Sequence, residues 1–157
     1  RRPPRSPPLY SSAASDVYMR QQLVEDPSRI SDAIEEVLRL YSPVWGIART
    51  ATRDAEVNGQ PIAAGERVLM LFASADRDAE EFPNPDEFVL GRVPNRHLAF
   101  GIGKHRCLGS HLARLEIRVA IEEVLEHLPD YRVEGEVGWN TMGPLPISYT
   151  PAVIALG

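Results

Sequence analysis

The chain has 157 residues, 43% of them hydrophobic, which is enough to bury the core of one compact domain. Its 22 Asp and Glu against 17 Lys and Arg give a formal net charge of −5, which argues against non-specific binding of nucleic acid. No apolar run reaches membrane-spanning length, and the single cysteine excludes an internal disulfide framework, so the composition favours a cytoplasmic protein that does not enter a membrane.

The N-terminal segment is basic and rich in proline. It contains Arg1, Arg2 and Arg5 without an acidic residue, and four of the first eight residues are prolines. Because proline lacks a backbone donor and favours the extended polyproline conformation, residues 1–15 are predicted to be a disordered leader. A segment that binds a polyproline-recognising partner is the alternative. Residues 16–157 are predicted to form the folded domain.

Two helices are predicted next. The first runs from Asp16 to Glu25 and ends at Asp26-Pro27, a dipeptide that also suits the cap and first turn of the following helix. Pro43 ends the second helix. The apolar residues of the second helix recur at helical spacing: Ile30, Ala33, Ile34, Val37, Leu38 and Tyr41.

Glu36 and Arg39 lie one helical turn apart on this second helix. Both project away from its apolar residues. Taken alone, the pair therefore favours an exposed ion pair worth about 0.2–0.5 kcal/mol.

The pattern changes to short alternating runs between residues 49 and 71. Turn signals at Asn58-Gly59 and Ala64-Gly65 predict a small antiparallel sheet, with Val68 to Phe72 as a buried strand. Residues 76–95 carry three prolines and many Asp and Asn, which predicts an irregular meander without helix or sheet.

The cysteine lies in the run Phe100-Gly-Ile-Gly-Lys-His-Arg-Cys-Leu-Gly109, at the start of a helix predicted from Cys107 to His127. A thiol at a helix N-terminus lies at the positive end of the backbone dipole, which favours the thiolate, a nucleophile or metal ligand. The glycines of this run lack a Cβ, so the backbone can approach a large flat group. Ligation of a haem iron by Cys107 fits these features together. Short strands are predicted from Tyr131 to Leu156.

This run has the form F-x-x-G-x-H-x-C-x-G and resembles the haem-binding loop of the cytochrome P450 family. Residues 108–116, which follow it, are similar to the start of that family's proximal helix. Glu36 and Arg39 resemble its Glu-x-x-Arg signature, and Phe82 to Arg92 resembles its meander. The resemblance implies a mainly α fold with small antiparallel β-sheets, the C-terminal part of the cytochrome P450 fold, in a soluble bacterial-type member.

The resemblance also implies roles for individual residues. Cys107 would be the axial ligand of haem b, in a loop shaped by Phe100, Gly101, Gly103 and Gly109. His105 and Arg49 would contact the haem propionates. Glu36 and Arg39 would form a structural network with a third member, Arg92, or in reserve His97. The border of the substrate pocket would include Val44, Trp45, Ile47, Met142 and Leu145.

The implied activity is that of a haem-thiolate monooxygenase, an oxidoreductase that inserts one atom of O2 into a small organic substrate. The electrons would come from a ferredoxin and ferredoxin reductase, and the protein would be a monomer. Lys104 and Arg106 bracket the loop and could attract an acidic donor, but two solvated loop charges are the favoured interpretation. The likeness starts near Asp16 and matches the last part of a family member, without the oxygen-activating helix. We therefore expect the chain alone to bind haem weakly and to be inactive.

Two other functions are open on the sequence. A non-catalytic haem-binding or redox-sensing remnant would use the same Cys107 site without oxygen chemistry. A structural zinc site would use His97, His105, Cys107 and His111, of which the last two share a helix face. Zinc would leave the glycines of the loop and the Glu36–Arg39 pair unexplained.

Overall fold

A computed structural model of the chain has the predicted architecture, with helices and small antiparallel sheets. The chain divides into two compact units, one of residues 32–113 and one that combines residues 1–31 with residues 114–157. The predicted leader, residues 1–15, lies outside the described residues. The structure describes residues 19–128, 130–134, 139–142, 145–149 and 153–155.

The second helical segment begins where the Asp26-Pro27 capping signal predicts, and the predicted start of the first helix at Asp16 lies outside the described residues. Residues 19–25 form helix α1. The 3₁₀ turn Pro27–Arg29 then leads into helix α2, Ile30–Leu40. Asp26 caps the turn, since its Oδ1 accepts the Ser28 N–H at 3.1 Å.

Helix α2 is buried on more than its apolar side. Ile34 and Leu38 are buried as predicted, but Val37 is 42% exposed and Tyr41, just beyond the helix, is 52% exposed, so the predicted apolar stripe is too wide. On the polar side Glu36 and Arg39 are buried at 0% exposure. The helical projection of these two residues away from the apolar side is compatible with this burial, because residues 76–95 pack over them.

Two antiparallel strand pairs follow α2. Strand β1, Ile47–Thr50, pairs with β4, Arg67–Met70, and β2, Ala55–Val57, pairs with β3, Gln60–Ile62. The predicted turn Asn58-Gly59 joins β2 to β3, with φ of 49° and 78° at its two residues, as a two-residue hairpin requires.

The predicted buried strand from Val68 to Phe72 is wrong. Strand β4 ends at Met70, Leu69 is 58% exposed, and Phe72 begins a short helix α3, Phe72–Ala75, in which it is buried. Among the described residues the sheet of β1 and β4 has two strands, which are too few to bury both faces.

Residues 76–95 form turns and bends without helix or strand, as predicted, and we call them the meander. The residues from Phe100 to Gly109, which we call the Cys107 loop, include a 3₁₀ turn, Gly103–His105. Helix α4, Ser110–His127, starts three residues later than predicted, because Cys107, Leu108 and Gly109 form a turn before it.

The second unit contains α1, the part of α4 from Arg114 onward, and four short strands. Arg20 connects α1 to the segment before strand β5. Its guanidinium donates to the Tyr131 carbonyl at 2.5 Å and lies 5.3 Å from the centre of the Tyr131 ring. Within the described residues, no helix combines the length and apolar character needed to cross a bilayer. Its strands form two antiparallel pairs. Strand β5 (Arg132–Glu134) pairs with β8 (Val153–Ala155), and β6 (Trp139–Met142) pairs with β7 (Leu145–Tyr149).

Candidate functional site

The largest buried polar cluster of the site is formed by Glu36, Arg39 and Arg92, and we call it the Glu36 network. The Glu36 carboxylate accepts from Arg39 Nε at 2.9 Å and Nη2 at 2.8 Å, and from Arg92 Nε at 2.9 Å. The side chains of Glu36 and Arg39 are 0% exposed and that of Arg92 is 6% exposed. The geometry therefore brings together the pair and the third residue that the sequence analysis preferred.

The two arginines of the network also bind main-chain oxygens of the meander. Arg39 Nη1 donates to the Pro85 carbonyl at 2.6 Å and Nη2 donates to the Glu87 carbonyl at 3.0 Å. Arg92 Nη1 donates to the Pro83 carbonyl at 2.6 Å. A planar guanidinium donates in several fixed directions, so each arginine holds a carboxylate and a chain segment at once.

Glu36 is ionised within this network. Burial raises the pKa of its carboxyl, but hydrogen bonds from Arg39, from the Val89 N–H at 2.9 Å and from Arg92 together outweigh it. The net pKa of Glu36 is therefore lowered from its ordinary value of 4.5.

His97, the reserve member of the network, has a different partner. Its Nε2 lies 3.0 Å from Glu35 Oε2, and its Nδ1 accepts the Ala99 N–H at 3.2 Å. Because Nδ1 is an acceptor, the proton of the imidazole belongs on Nε2, where it is donated to Glu35. The ring of His97 also lies 6.3 Å from that of Phe100, centre to centre. His97 therefore connects α2 to the start of the Cys107 loop.

The Cys107 loop is closed by its own backbone. The Cys107 N–H donates to the Phe100 carbonyl at 2.8 Å, and the Arg106 N–H donates to the Gly103 carbonyl at 3.1 Å. Gly101 and Gly103 have φ of 68° and 69°, a left-handed conformation that side chains with a Cβ rarely adopt. These contacts hold Cys107 at the surface, where it is a free and exposed thiol.

The surroundings of the thiol fit a large apolar group. Ile102, Leu108 and Leu112 lie within five residues of Cys107 in the chain and are 72%, 99% and 59% exposed, which is unusual for apolar side chains so close in sequence. A Cβ on Gly109 would lie 3.9 Å from Cys107 Sγ, so the glycine keeps the space beside the sulfur open. A haem would cover these side chains and use the thiolate as its axial ligand, so the residues present fit this cofactor.

The predicted propionate contacts are both accessible. His105 ends the 3₁₀ turn of the Cys107 loop and is exposed. Arg49 lies on β1, where it is exposed and donates to the adjacent Ala48 carbonyl at 3.1 Å. Both side chains are thus available to an anionic group.

The residues predicted to border a substrate pocket are placed at two locations. Val44 and Trp45, between α2 and β1, are 46% and 40% exposed, and Ile47 opens β1. Met142 and Leu145 face each other as partners in β6 and β7, and their side chains lie outside the described part of the chain.

The zinc alternative is not supported. Across the described residues, which include His97, His105, Cys107 and His111, no group of three or more His, Cys, Asp and Glu side chains is placed to hold a metal ion. His97 is instead bound to Glu35.

Asp76 is a buried site residue that the sequence analysis did not find. It follows helix α3, it is 0% exposed, and its Oδ1 accepts the Leu98 N–H at 2.6 Å. Burial raises the pKa of Asp76 from the ordinary value of 3.8, and the Leu98 hydrogen bond and the nearby Arg39 charge only partly offset this. In the sequence it reads as one more polar residue at the start of a loop, so no local signal distinguishes it.

Comparisons with known proteins agree with this geometry. Residues 29–134 match the family model described as Cytochrome P450. Cytochrome P450-terp from Pseudomonas sp is 44% identical over 133 residues, which cover 81% of this chain and 31% of that protein. Steroid C26-monooxygenase from Mycolicibacterium smegmatis is 42% identical over 142 residues, covering 85% of this chain and 35% of that protein.

A solved structure shows the same fold. The structure of P450BioI in complex with hexadec-9Z-enoic acid ligated acyl carrier protein superposes with a TM-score of 0.84 and 37% sequence identity. The match covers 89% of this chain and 36% of that chain. The chain thus spans about a third of the length of the relatives it matches.

Proposed function

Because the chain belongs to the cytochrome P450 family, we propose that it provides the thiolate side of a haem monooxygenase, with Cys107 as the axial ligand. Family membership implies a haem cofactor, and the proposal specifies haem b. The observation that carries it is an exposed Cys107, held by a closed loop with two left-handed glycines and with exposed apolar residues next to it in the sequence.

Each part of the Cys107 loop has a role in holding the cofactor. The Cys107 thiolate would bind the iron, and Ile102, Leu108 and Leu112 would cover apolar parts of the porphyrin. His105 and Arg49 would donate to the propionates, for which an imidazole and a guanidinium are suitable partners. The haem would supply oxygen activation: with two electrons and two protons from outside, one atom of O2 would enter the substrate and the other would leave as water, and the Cys107 thiolate would supply electron density that favours this reaction.

The Glu36 network supports this site without taking part in the chemistry. It fixes the meander on α2, and the segment after the meander leads directly into the Cys107 loop. The network is therefore a structural clamp, and its loss would displace the loop that carries the ligand.

The proposal includes a small organic substrate and an external electron donor. Val44, Trp45, Ile47, Met142 and Leu145 are the residues proposed to border the substrate pocket. A ferredoxin with its reductase would supply the electrons, and the exposed Lys104 and Arg106 beside the ligand would attract an acidic donor of this kind. A monomeric state and a cytoplasmic location belong to the same proposal.

The ligation is tested by adding haemin to the full chain and to two variants, and recording ferric and ferrous-CO spectra at saturating haemin. In keeping with weak haem binding by the chain alone, we expect a weak red-shifted thiolate band at saturating haemin in the unmodified chain and in His111→Ala, a control that removes a nearby imidazole. Cys107→Ser must lose this band. A band that survives in Cys107→Ser, or a chain that binds no haemin, contradicts the proposal.

Oxygenation is tested separately with peroxide as a surrogate oxidant and a panel of small apolar substrates. Formation of a hydroxylated product that depends on Cys107 supports a monooxygenase. Thiolate ligation without any product in the protein that carries this chain would favour the non-catalytic haem-binding function.

A further inference from the structure

Asp76 carries a buried carboxyl group that the Glu36 network does not use. The residue is 0% exposed, and of its two oxygens Oδ1 accepts one hydrogen bond, while Oδ2 is buried with no partner among the described residues. Burying a carboxyl group with one oxygen unsatisfied is costly. We therefore ask what the one hydrogen bond that the Asp76 side chain makes, to the Leu98 N–H, holds in place.

That hydrogen bond leads to the Cys107 loop in two further steps. Asp76 Oδ1 holds the Leu98 N–H at 2.6 Å. The Leu98 carbonyl accepts the Gly101 N–H at 2.7 Å, which closes a tight turn. The Phe100 carbonyl, inside this turn, accepts the Cys107 N–H at 2.8 Å. The position of the Cys107 backbone therefore depends on the position of the Leu98 peptide.

The opposite side of Asp76 is attached to the core. Its carbonyl accepts Arg39 Nη1 at 2.8 Å, so the residue stands between the Glu36 network and the Cys107 loop. This contact is made by the main chain and survives a change of the side chain. A substitution at position 76 therefore separates the role of the carboxyl group from that of the network.

We propose that Asp76 is a positioning residue for the Cys107 loop: its side chain fixes the Leu98 amide, and through the turn from Leu98 to Gly101 it fixes the Cys107 amide. The loop geometry can be tested without a cofactor, and only the effect on haem ligation rests on the proposed function. Asp76 does not contact the reacting atoms, and its effect on the sulfur passes through the backbone.

The test compares Asp76→Ala, Asp76→Asn and Ser42→Ala in the full chain by amide hydrogen exchange. Asn keeps an oxygen that can accept the Leu98 N–H, whereas Ala removes it. Ser42 is a matched control, because it is 2% exposed and its hydroxyl donates to the Val44 carbonyl at 3.2 Å, away from the loop. We expect exchange of the Leu98 and Cys107 amides to accelerate at least about 10-fold in the alanine variant, which corresponds to about 1.4 kcal/mol. In the other two variants these rates stay within about threefold, which corresponds to about 0.7 kcal/mol.

A second measurement uses the unmodified chain, so that it holds even if Asp76→Ala does not fold. The chemical shift of the Leu98 amide proton must follow the protonation of Asp76 as pH falls, with His97 and Arg39 as the titratable and charged groups facing that carboxyl. A Leu98 shift that is flat through the acid range, or unchanged exchange at Leu98 and Cys107 in Asp76→Ala, overturns the proposal.

Haem ligation distinguishes positioning of the sulfur from a general effect on stability, because it is compared between variants at equal folded fraction. At equal folded fraction, Asp76→Ala should show less of the red-shifted ferrous-CO band than Ser42→Ala, and Asp76→Asn should restore it. Equal bands in all three variants contradict positioning of the sulfur. If the unmodified chain binds no haem, the proposed function fails, while the exchange data still decide the role of Asp76.

Discussion

The Arg92 Nε of the meander lies 2.9 Å from Glu36 Oε1 of helix α2, although 56 residues separate the two in sequence. Both side chains are almost completely buried. A contact of this range does not form unless the meander is folded onto the helix, so the ion pair reports on the tertiary structure of the unit that carries the cysteine.

Removal of one partner from the Glu36 network is expected to be strongly destabilising. Arg39→Met leaves the Glu36 carboxylate buried with less compensation, and we expect the free energy of unfolding to fall by about 3–5 kcal/mol. Asp86→Ala is the control, since it breaks an exposed pair with Arg77 and should cost less than about 1 kcal/mol. Urea unfolding monitored by circular dichroism measures both, and equal effects of the two substitutions would show that the network does not act as a clamp.

The lowered pKa of Glu36 predicts a loss of stability in acid. The stability contributed by its ionised form is fully present above the ordinary value of 4.5 and is lost as pH falls through the lower pKa of the folded state. Glu36→Gln removes this titration. We therefore expect the difference in unfolding free energy between the unmodified chain and Glu36→Gln to shrink as pH falls below 4.5. A difference independent of pH in urea unfolding series would contradict this expectation.

The raised pKa of Asp76 predicts the opposite sign. Its contribution to stability is fully present below the ordinary value of 3.8 and is lost as pH rises through the higher pKa of the folded state. Asp76→Asn should therefore gain stability relative to the unmodified chain as pH rises through that range. Ser42→Ala, at a buried position without a titratable group, serves as the control, and its effect on stability should not vary with pH. Thermal melts across the acid range give the sign directly, and a relative stability of Asp76→Asn that falls with pH would refute the assignment.

Arg49 is expected to affect retention of haem without affecting the fold. Its side chain is exposed on β1, so Arg49→Gln removes a charge-assisted hydrogen bond to a propionate worth about 1.5–3 kcal/mol and little else. The rate of haem loss to a scavenger globin should rise about 10-fold or more, while the unfolding midpoint stays within error. Arg53→Gln, also exposed, is the matched control. If both variants release haem at the same rate, Arg49 is not a propionate ligand.

The substitution Gly101→Ala tests whether the Cys107 loop requires the left-handed backbone conformation at this position. Its φ is 68°, and a Cβ there would be 3.8 Å from the nearest atom, the His105 carbonyl oxygen, so Gly101→Ala meets strain but no collision. The left-handed conformation costs an L-residue with a Cβ about 1–2 kcal/mol, which should appear as lost stability in urea unfolding. Gly109→Ala is the control, because the backbone of Gly109 is not left-handed. Equal stability of the two variants would mean that the loop relaxes.

Local patterns predicted the elements that local interactions build. The spacing of residues around Cys107 indicated a glycine-rich loop ahead of a helix, the Asn58-Gly59 pair indicated a hairpin, and the structure contains both. Asp26 and Pro27 indicated the start of a helical segment for the same reason, since capping involves only neighbouring residues.

Burial could not be predicted in the same way. A helical projection put Glu36 and Arg39 on a polar side, and only the folded meander, supplied by distant residues, shows that this side is enclosed. Leu69 was expected inside a strand that the two-stranded sheet leaves exposed. The sequence did not distinguish Asp76 from other polar loop residues, because its hydrogen-bond partner, the Leu98 amide, is 22 residues away.

The two arginines of the Glu36 network bind the meander through its main chain and not through its side chains. Arg39 and Arg92 donate to the carbonyl oxygens of Pro83, Pro85 and Glu87, atoms that every amino acid possesses. A change of the Glu87 side chain therefore leaves these hydrogen bonds to the main chain in place. We therefore expect the side chains of the meander to vary more among related proteins than the path of its main chain does.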